Sequence, residues 1–540
     1  MLSLKLIGKG TWLDKVALRL IRREEELGRS VKTFRVESGL GASGIPHIGS
    51  FADAARAYGV KLALENLGRN AEYIAFSDDK DGLRKVPRGL PGWLEDYIGY
   101  PVSAIPDPFR CHSSYGAHMS HMLLEVLDRC GIVYNHISAS EAYRRGLFDE
   151  EIRIALDKAE QIGRIIRDEL SQEKYLEVLP YFPVCENCGR IYTTKALKWI
   201  PREGKVTYIC EGSTIAGRRV DGCGYSGEVD YRAGEGKLSW KVEFAARWSA
   251  LDIDFEAYGK DIADSVRVND RIMKEIYGKP PPLHVRYEMF LDKGGGKLSK
   301  SKGDVLTPQL WLRYGSPSSL LLLMYKRIVG TREVSVSDIP RYMDELDELE
   351  DVYFNRRKVP DEKERAKLKG LYEYSLLLKT PRKPSIHIPY RLLLYLAELA
   401  PREKAEDFIL QKLREYGYKV DGSLEDVKRR ILYAVNWVED FKEGERGEPV
   451  SLTSREKEAV EYIVERMEGE TLKGDEAQNL IYETAKAYNI TPGILFQKLY
   501  QLLFNKPYGP RLGPYIAATG QEKIMELLRK ALDNAEIKEA

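Results

Sequence analysis

Apolar and polar positions follow two different rhythms along this chain. Residues 31–38 (VKTFRVES), rich in β-branched and aromatic side chains, predict a short strand. They run into a glycine-rich turn, GLGASGIPHIGS, and then an Ala-rich helical stretch from Phe51 to about Asn66. A second predicted strand, AEYIAFS, ends at the acidic loop Asp78-Asp79-Lys80-Asp81. Strand, glycine turn, helix and strand open a doubly wound α/β sheet, whose ligands sit beyond the carboxyl ends of the strands. Three- and four-residue spacing over Trp12–Glu26 predicts a helix covering that sheet.

The rhythm then breaks. From about Pro87 to Arg232 come proline-rich loops, helical segments at Ala117–Cys130 and Glu150–Glu173, and a cysteine-bearing region of sparse periodicity. Near Trp240 it resumes with KLSWKVEF, a helix at about Ser265–Tyr277, a strand LHVRYEMFLD and the loop KGGGKLSKSKGD. Residues 1–90 and 235–315 therefore form one Rossmann-like α/β domain with a doubly wound parallel sheet, and 90–235 is an insertion into it. Beyond a linking region over 315–353, Leu and Tyr recur at helical spacing through Tyr390–Leu399, Leu424–Val438, Thr453–Met467 and Leu495–Phe504. Residues 354–540 are expected to be all-α.

Composition narrows the classes. A chain of 540 residues has room for three or four domains at roughly 150 residues each. With 43% apolar and 31% charged residues, disordered and collagen-like compositions are excluded. Lys and Arg number 84 against 83 Asp and Glu, so any nucleic-acid contact must use a local basic patch. The longest apolar runs, such as Leu320–Met324, fall far short of the ~18 residues of a membrane span. Neither a secretory leader nor a disulfide scaffold is expected, and the chain reads as cytoplasmic with no membrane or DNA partner.

Four constellations carry candidate chemistry. The first is Gly39, Gly41 and Gly44 with Pro46-His47-Ile48-Gly49-Ser50. Glycines allow close backbone approach, helix-start amides suit phosphate, and a histidine there can donate to a phosphate oxygen. Alone, the pattern also fits a tight strand-to-helix turn. The second, Lys297-Leu298-Ser299-Lys300-Ser301-Lys302 behind three glycines, suits an electrostatic clamp on a departing phosphate, or else a solvated lysine loop. The third, Cys185-x2-Cys188-Gly189 with Cys210 and Cys223, has the thiolate pairing of a structural zinc site, with buried free thiols as the alternative. The fourth, Asp107, Cys111, His112 and His118, offers three ligand types that one zinc ion accepts, with His121 as an alternative ligand; core histidines in an ordinary loop compete. Cys130 belongs to neither cluster and reads as a buried helix residue.

PHIGS and KLSKS resemble the HIGH and KMSKS signatures of class I aminoacyl-tRNA synthetases. The stretches VESGLGASGIPHIG, DDKDGLRKVP, DPFRCHSSYGAH, FEAYGKD, YEMFLDKGGGKLSKSKG and YGPRLGPYIAATG are similar to the archaeal-type class I lysyl-tRNA synthetases, over essentially the whole chain. Ser50, Gly41, Ile262 and Leu298 depart from the usual pattern of that family. The resemblance implies ATP-dependent activation of lysine and transfer to tRNA(Lys), with Mg2+ accompanying ATP and two structural zinc sites. It implies catalytic roles for His47, Lys297 and Lys300, and ATP contacts from Gly44, His47, Gly49, Ser50, Asp261, Lys297, Ser299 and Lys300. A lysine pocket needs an anion and aromatic walls; Glu37, Gly39, Trp248 and Tyr287 are the candidates, with Glu288 beside them. The acidic loop residues Asp78, Asp79 and Asp81 could hold ammonium or magnesium. The helical region from 354 would bind the anticodon. Another class I synthetase, such as a glutamyl enzyme, and a non-catalytic RNA-binding paralogue are the competing expectations.

Overall fold

The computed structural model describes residues 7–288, 290–291, 306–441, 450–504 and 511–538. Its central sheet is built from β1 (Phe34–Leu40), β2 (Ala71–Ser77), β3 (Asn135–Ser138), β4 (Phe255–Gly259) and β5 (Leu283–Tyr287). The spatial order is β5-β4-β1-β2-β3, with every neighbouring pair parallel. The order reverses between β1 and β4, and that switch point opens a crevice beyond the carboxyl ends of the strands. The sheet departs from expectation at one edge: β3 lies within 90–235, so the insertion contributes a strand to the domain it interrupts.

Helix α1 (Trp12–Glu26) starts at a capping box, in which the Thr11 hydroxyl donates to Asp14 Oδ2 at 2.7 Å and the Thr11 amide at 3.0 Å. Helix α2 (Ile48–Asn66) joins β1 to β2 and is buried almost all round. Ile48, Phe51, Ala52, Ala54, Ala55, Ala57 and Val60 are fully enclosed, and the small alanines let the helix lie close to the sheet. Within 90–235 lie α3 (Tyr115–Arg129), helices Asp149–Asp157 and Ala159–Leu170, and an antiparallel three-stranded sheet of Thr194–Ile200, Lys205–Cys210 and Ser226–Asp230. The chain returns through α4 (Trp240–Ala250) and, between β4 and β5, α5 (Ala263–Glu275).

The chain divides into two units, one containing residues to Leu312 with Pro317–Arg382, the other Arg313–Ser316 with Lys383 onward. Residues 354–382, grouped by their sequence rhythm with the C-terminal helices, thus belong with the sheet. The reason is a buried polar tie: on helix Glu362–Ser375 the Tyr374 hydroxyl donates to Asp14 Oδ1 at 2.7 Å, and Glu373 pairs with Lys9 at 2.7 Å. The second unit packs Leu452, Val460, Ile463, Ile481, Leu495, Leu499 and Leu528 into its own core. Among its described residues it is helical apart from a short parallel pair, Ser451–Thr453 with Glu536–Lys538. Among the described residues no helix is long and apolar enough to cross a membrane.

Candidate functional site

A cavity of about 400 Å³ occupies the switch-point crevice, within the range of small-molecule sites. Its walls include Gly39 near the end of β1 and Gly41 just past it, His47, Gly49 and Ser50 at the start of α2, Asp78 and Asp81 beyond β2, Glu256–Gly259 of β4, Asp261, Tyr287 and Glu288. His47 is the N-cap of α2: its Nδ1 accepts the Ser50 amide at 3.2 Å. Accepting at Nδ1 places the neutral ring's proton on Nε2, the donor nitrogen. A Cβ at Gly49 would stand 2.8 Å from His47 Cε1, so glycine is what lets the ring lie against the helix start. Of the residues expected to meet a nucleotide, His47, Gly49, Ser50 and Asp261 line this cavity, whereas Gly44 does not. Lys297, Ser299 and Lys300 lie outside the described residues.

Two of the expected lysine-pocket residues, Gly39 and Tyr287, are in the wall; the other two are not. Trp248 is in the core at 1% exposure, beside His284 at 5.0 Å between ring centroids, and its indole N–H donates to Glu256. Glu37 lies below the cavity, fully enclosed. The register explains its situation. Glu37 sits opposite Glu256 across the β1–β4 pair, and facing carboxylates repel. Arg247 of α4 resolves the conflict, with Nε 2.5 Å from Glu37, Nη1 3.2 Å from Asp78 and Nη2 3.3 Å from Glu256. Burial pushes the Glu37 carboxyl well above its ordinary range even though Arg247 pulls it down. Burial likewise pushes Asp78 up to about 7 against the pull of Arg247. Asp81 is held by Lys237 and by the Trp240 indole N–H at 3.0 Å, and Lys237 also pairs with Glu243 at 2.6 Å. Asp79 turns away from the cavity, accepting from the Ser138 hydroxyl at 2.7 Å and the Ser140 amide at 2.8 Å. The acidic loop is thus split: Asp78 and Asp81 reach the cavity, and Asp79 caps the turn after β3.

Arg247, Glu256 and Arg56 were missed in the sequence reading. Arg247 carries no motif. Arg56 had a legible signal: it is the one arginine in an Ala-rich stretch whose neighbours are all core-like.

Both expected ligand sets converge. Cys185, Cys188, Cys210 and Cys223 bring their sulfurs together, as Asp107, Cys111, His112 and His118 do their ligand atoms. A tetrahedral ion with bonds of about 2.0–2.3 Å has ligand–ligand edges of about 3.3–3.8 Å. Cys185 and Cys223 are 3.5 Å apart, and Cys188 and Cys210 3.7 Å. In the second set Cys111 Sγ is 3.2 Å from His112 Nδ1 and 3.3 Å from His118 Nδ1, which stands 3.3 Å from Asp107 Oδ1. Each set therefore fits one metal ion. The left-handed turn at Gly189, φ +75°, folds the first pair of thiols back on itself. His121 is not part of the second set; its Nδ1 meets the Ala117 carbonyl at 2.9 Å. Cys130 is buried in the α3 cap, as expected, and burial pushes its thiol up to about 12.

A parallel sheet with a cavity at its switch point, and a histidine-capped helix facing it, defines a doubly wound α/β protein. Residues 10–377 match the family described as tRNA synthetases class I (K), and the chain belongs to that family. It is 49% identical to a lysine–tRNA ligase of Cenarchaeum symbiosum strain A, covering 97% of this chain and 99% of that relative. With a lysine–tRNA ligase of Methanocaldococcus jannaschii the identity is 34%, covering 95% and 98%. A solved glutamate tRNA ligase from Elizabethkingia meningosepticum superposes with a TM-score of 0.39 at 14% identity, covering 93% of this chain and 100% of its own.

Proposed function

We propose that this protein is a cytoplasmic lysine–tRNA ligase, joining L-lysine to tRNA(Lys) at the expense of ATP. The observation that carries the choice of amino acid is the charge of the cavity floor. Among the described residues that line the cavity, Asp53, Asp78, Asp81, Glu256, Asp261 and Glu288 outnumber the cations Arg56 and Arg247. That excess of carboxylates favours an ammonium-bearing side chain and repels glutamate, the substrate of the competing reading. Tyr287 supplies an aromatic wall for the methylene stem.

In the first step a lysine carboxylate oxygen attacks the α-phosphorus of ATP, the bond to the bridging oxygen breaks, and pyrophosphate leaves. The chain contributes position and charge with no covalent intermediate of its own. His47 Nε2–H and the start of α2 hold phosphate oxygens, and Asp261 holds ribose hydroxyls. Lys297 and Lys300, with Ser299 between them, neutralise the departing pyrophosphate, a role resting on their KLSKS pattern. Mg2+ bound to ATP would screen the triphosphate charge. In the second step a ribose hydroxyl of the terminal adenosine attacks the activated carbonyl and AMP leaves. Zinc suits both ligand sets, four thiolates in one and a carboxylate, thiolate and two imidazoles in the other. With four protein ligands apiece, both sites are structural. The helical region from 383 onward binds the anticodon stem-loop.

Amino-acid-dependent ATP–pyrophosphate exchange, run with tRNA present, tests this reading. Lysine should give the signal; a signal strongest with glutamate, or one needing no amino acid, overturns it.

A further inference from the structure

The cavity extends along one face of α2, where Gly49, Ala52, Asp53 and Arg56 line it at helical spacing. Arg56 is anomalous. It is only 2% exposed, its guanidinium stacks 4.3 Å over the Tyr287 ring and 5.4 Å from that of Phe290, and its Nε and Nη1 have no hydrogen-bond partner. A buried guanidinium without hydrogen bonds is costly. Asp53, three residues back on the same helix, offsets part of that cost electrostatically. Glu288, the other carboxylate at this end, is engaged by Lys260. A second buried guanidinium, Arg332, lies 4.7 Å over the other contact ring, Phe290, with its Nη2 unpartnered. Burial first, and then the like charge of Arg332, pull Arg56 down to about 9.

We infer that Arg56 is a further phosphate-binding residue of this site, its guanidinium receiving oxygens of the β,γ end of the ATP triphosphate. Helical side chains lean toward the N-terminus, so Arg56 reaches back over Ala52 toward the His47 cap. Gly49 and Ala52 leave that face open. Along the helix axis the backbone of Arg56 stands about 12 Å from the helix start, at 1.5 Å per residue. A single carboxylate cannot serve both ends, whereas a triphosphate presents anionic oxygens along its length. Aromatic stacking fixes the guanidinium plane, and a bound anion offsets the repulsion from Arg332.

This inference rests on the ATP-dependent reading above, and calorimetry separates the two. ATP, inorganic pyrophosphate and AMP are titrated into the full-length chain with tRNA present, for wild type, Arg56→Gln and Arg56→Lys. Arg56→Gln should weaken ATP and pyrophosphate about tenfold to a hundredfold. It should change AMP less than about twofold and leave the KM for lysine unmoved. Arg56→Lys, which keeps the charge in nearly the same volume, should recover part of the loss. Equal weakening of ATP and AMP would reveal a purely structural role, and unchanged ATP or an effect confined to lysine also overturns the inference. Failure of the wild type to bind ATP overturns the proposed function itself.

Discussion

A Cβ at position 49 would meet the ring of His47, so the smallest substitution in the site tests its most central geometry. Gly49→Ala should leave thermal stability unchanged or slightly raised, since alanine is the better helix former by ~1 kcal/mol. It should lower kcat for the exchange reaction about tenfold or more, because the ring must turn away from the Ser50 amide. Asp78 gives the pH dependence. With its carboxyl at about 7, well above the ordinary 3.8, it contributes stability below about pH 4, and that contribution is lost as pH rises through about 7. Binding of a cation runs in the opposite sense, because the ligand needs the ionised form. The KM for lysine should fall as pH rises from 6 and level off above about 7, and Asp78→Asn should flatten that profile and raise KM. Steady-state kinetics across pH check both. At this scale the sequence exposed His47 and Gly49 because glycine and histidine beside a predicted helix start carry local meaning. It misplaced Glu37 and Trp248 because their partners, Arg247 and Glu256, come from α4 and β4, far along the chain.

Between elements, the junction of β1, β4 and α4 is held by opposite charges in a dry interior. Removing one partner of such a cluster leaves its carboxylates uncompensated, at a cost of ~3–5 kcal/mol. Arg247→Met should therefore lower the denaturation midpoint sharply, and adding Glu37→Gln should restore part of it in a double-mutant cycle; purely additive losses would contradict the coupling. The helices were readable at this scale because their apolar spacing is local, α1 being predicted over the residues it occupies. Strand β3 was not, since four residues, NHIS, carry no alternation, and only pairing with β2 makes them a strand.

Across the whole molecule, the two ligand sets each draw separate segments of the insertion together. The thiolate cluster is packed by Tyr208 and few other side chains. Metal analysis should return two zinc ions per chain, and Cys188→Ser should remove one and lower the melting temperature. Retention of both ions in that variant would exclude the thiolate site. The tRNA role proposed for the second unit has a test of its own: with a net charge of only +1 over the chain, binding must use local basic strips. Its KM for tRNA should accordingly rise steeply with salt while that for lysine stays level.

The sequence by itself determined what depends on near neighbours: the helices, the glycine turn with its histidine cap, and the close-spaced ligands Cys185 with Cys188 and Cys111 with His112. Tertiary structure alone decided what depends on register and burial. It set Glu37 against Glu256 and drew Arg247 between them, brought Asp78 but not Asp79 to the cavity, and enclosed Arg56 with Nε and Nη1 unpartnered. The physical reason is that a carboxylate or guanidinium takes its character from the dielectric and charges around it, and parallel strands assemble those from segments some two hundred residues apart.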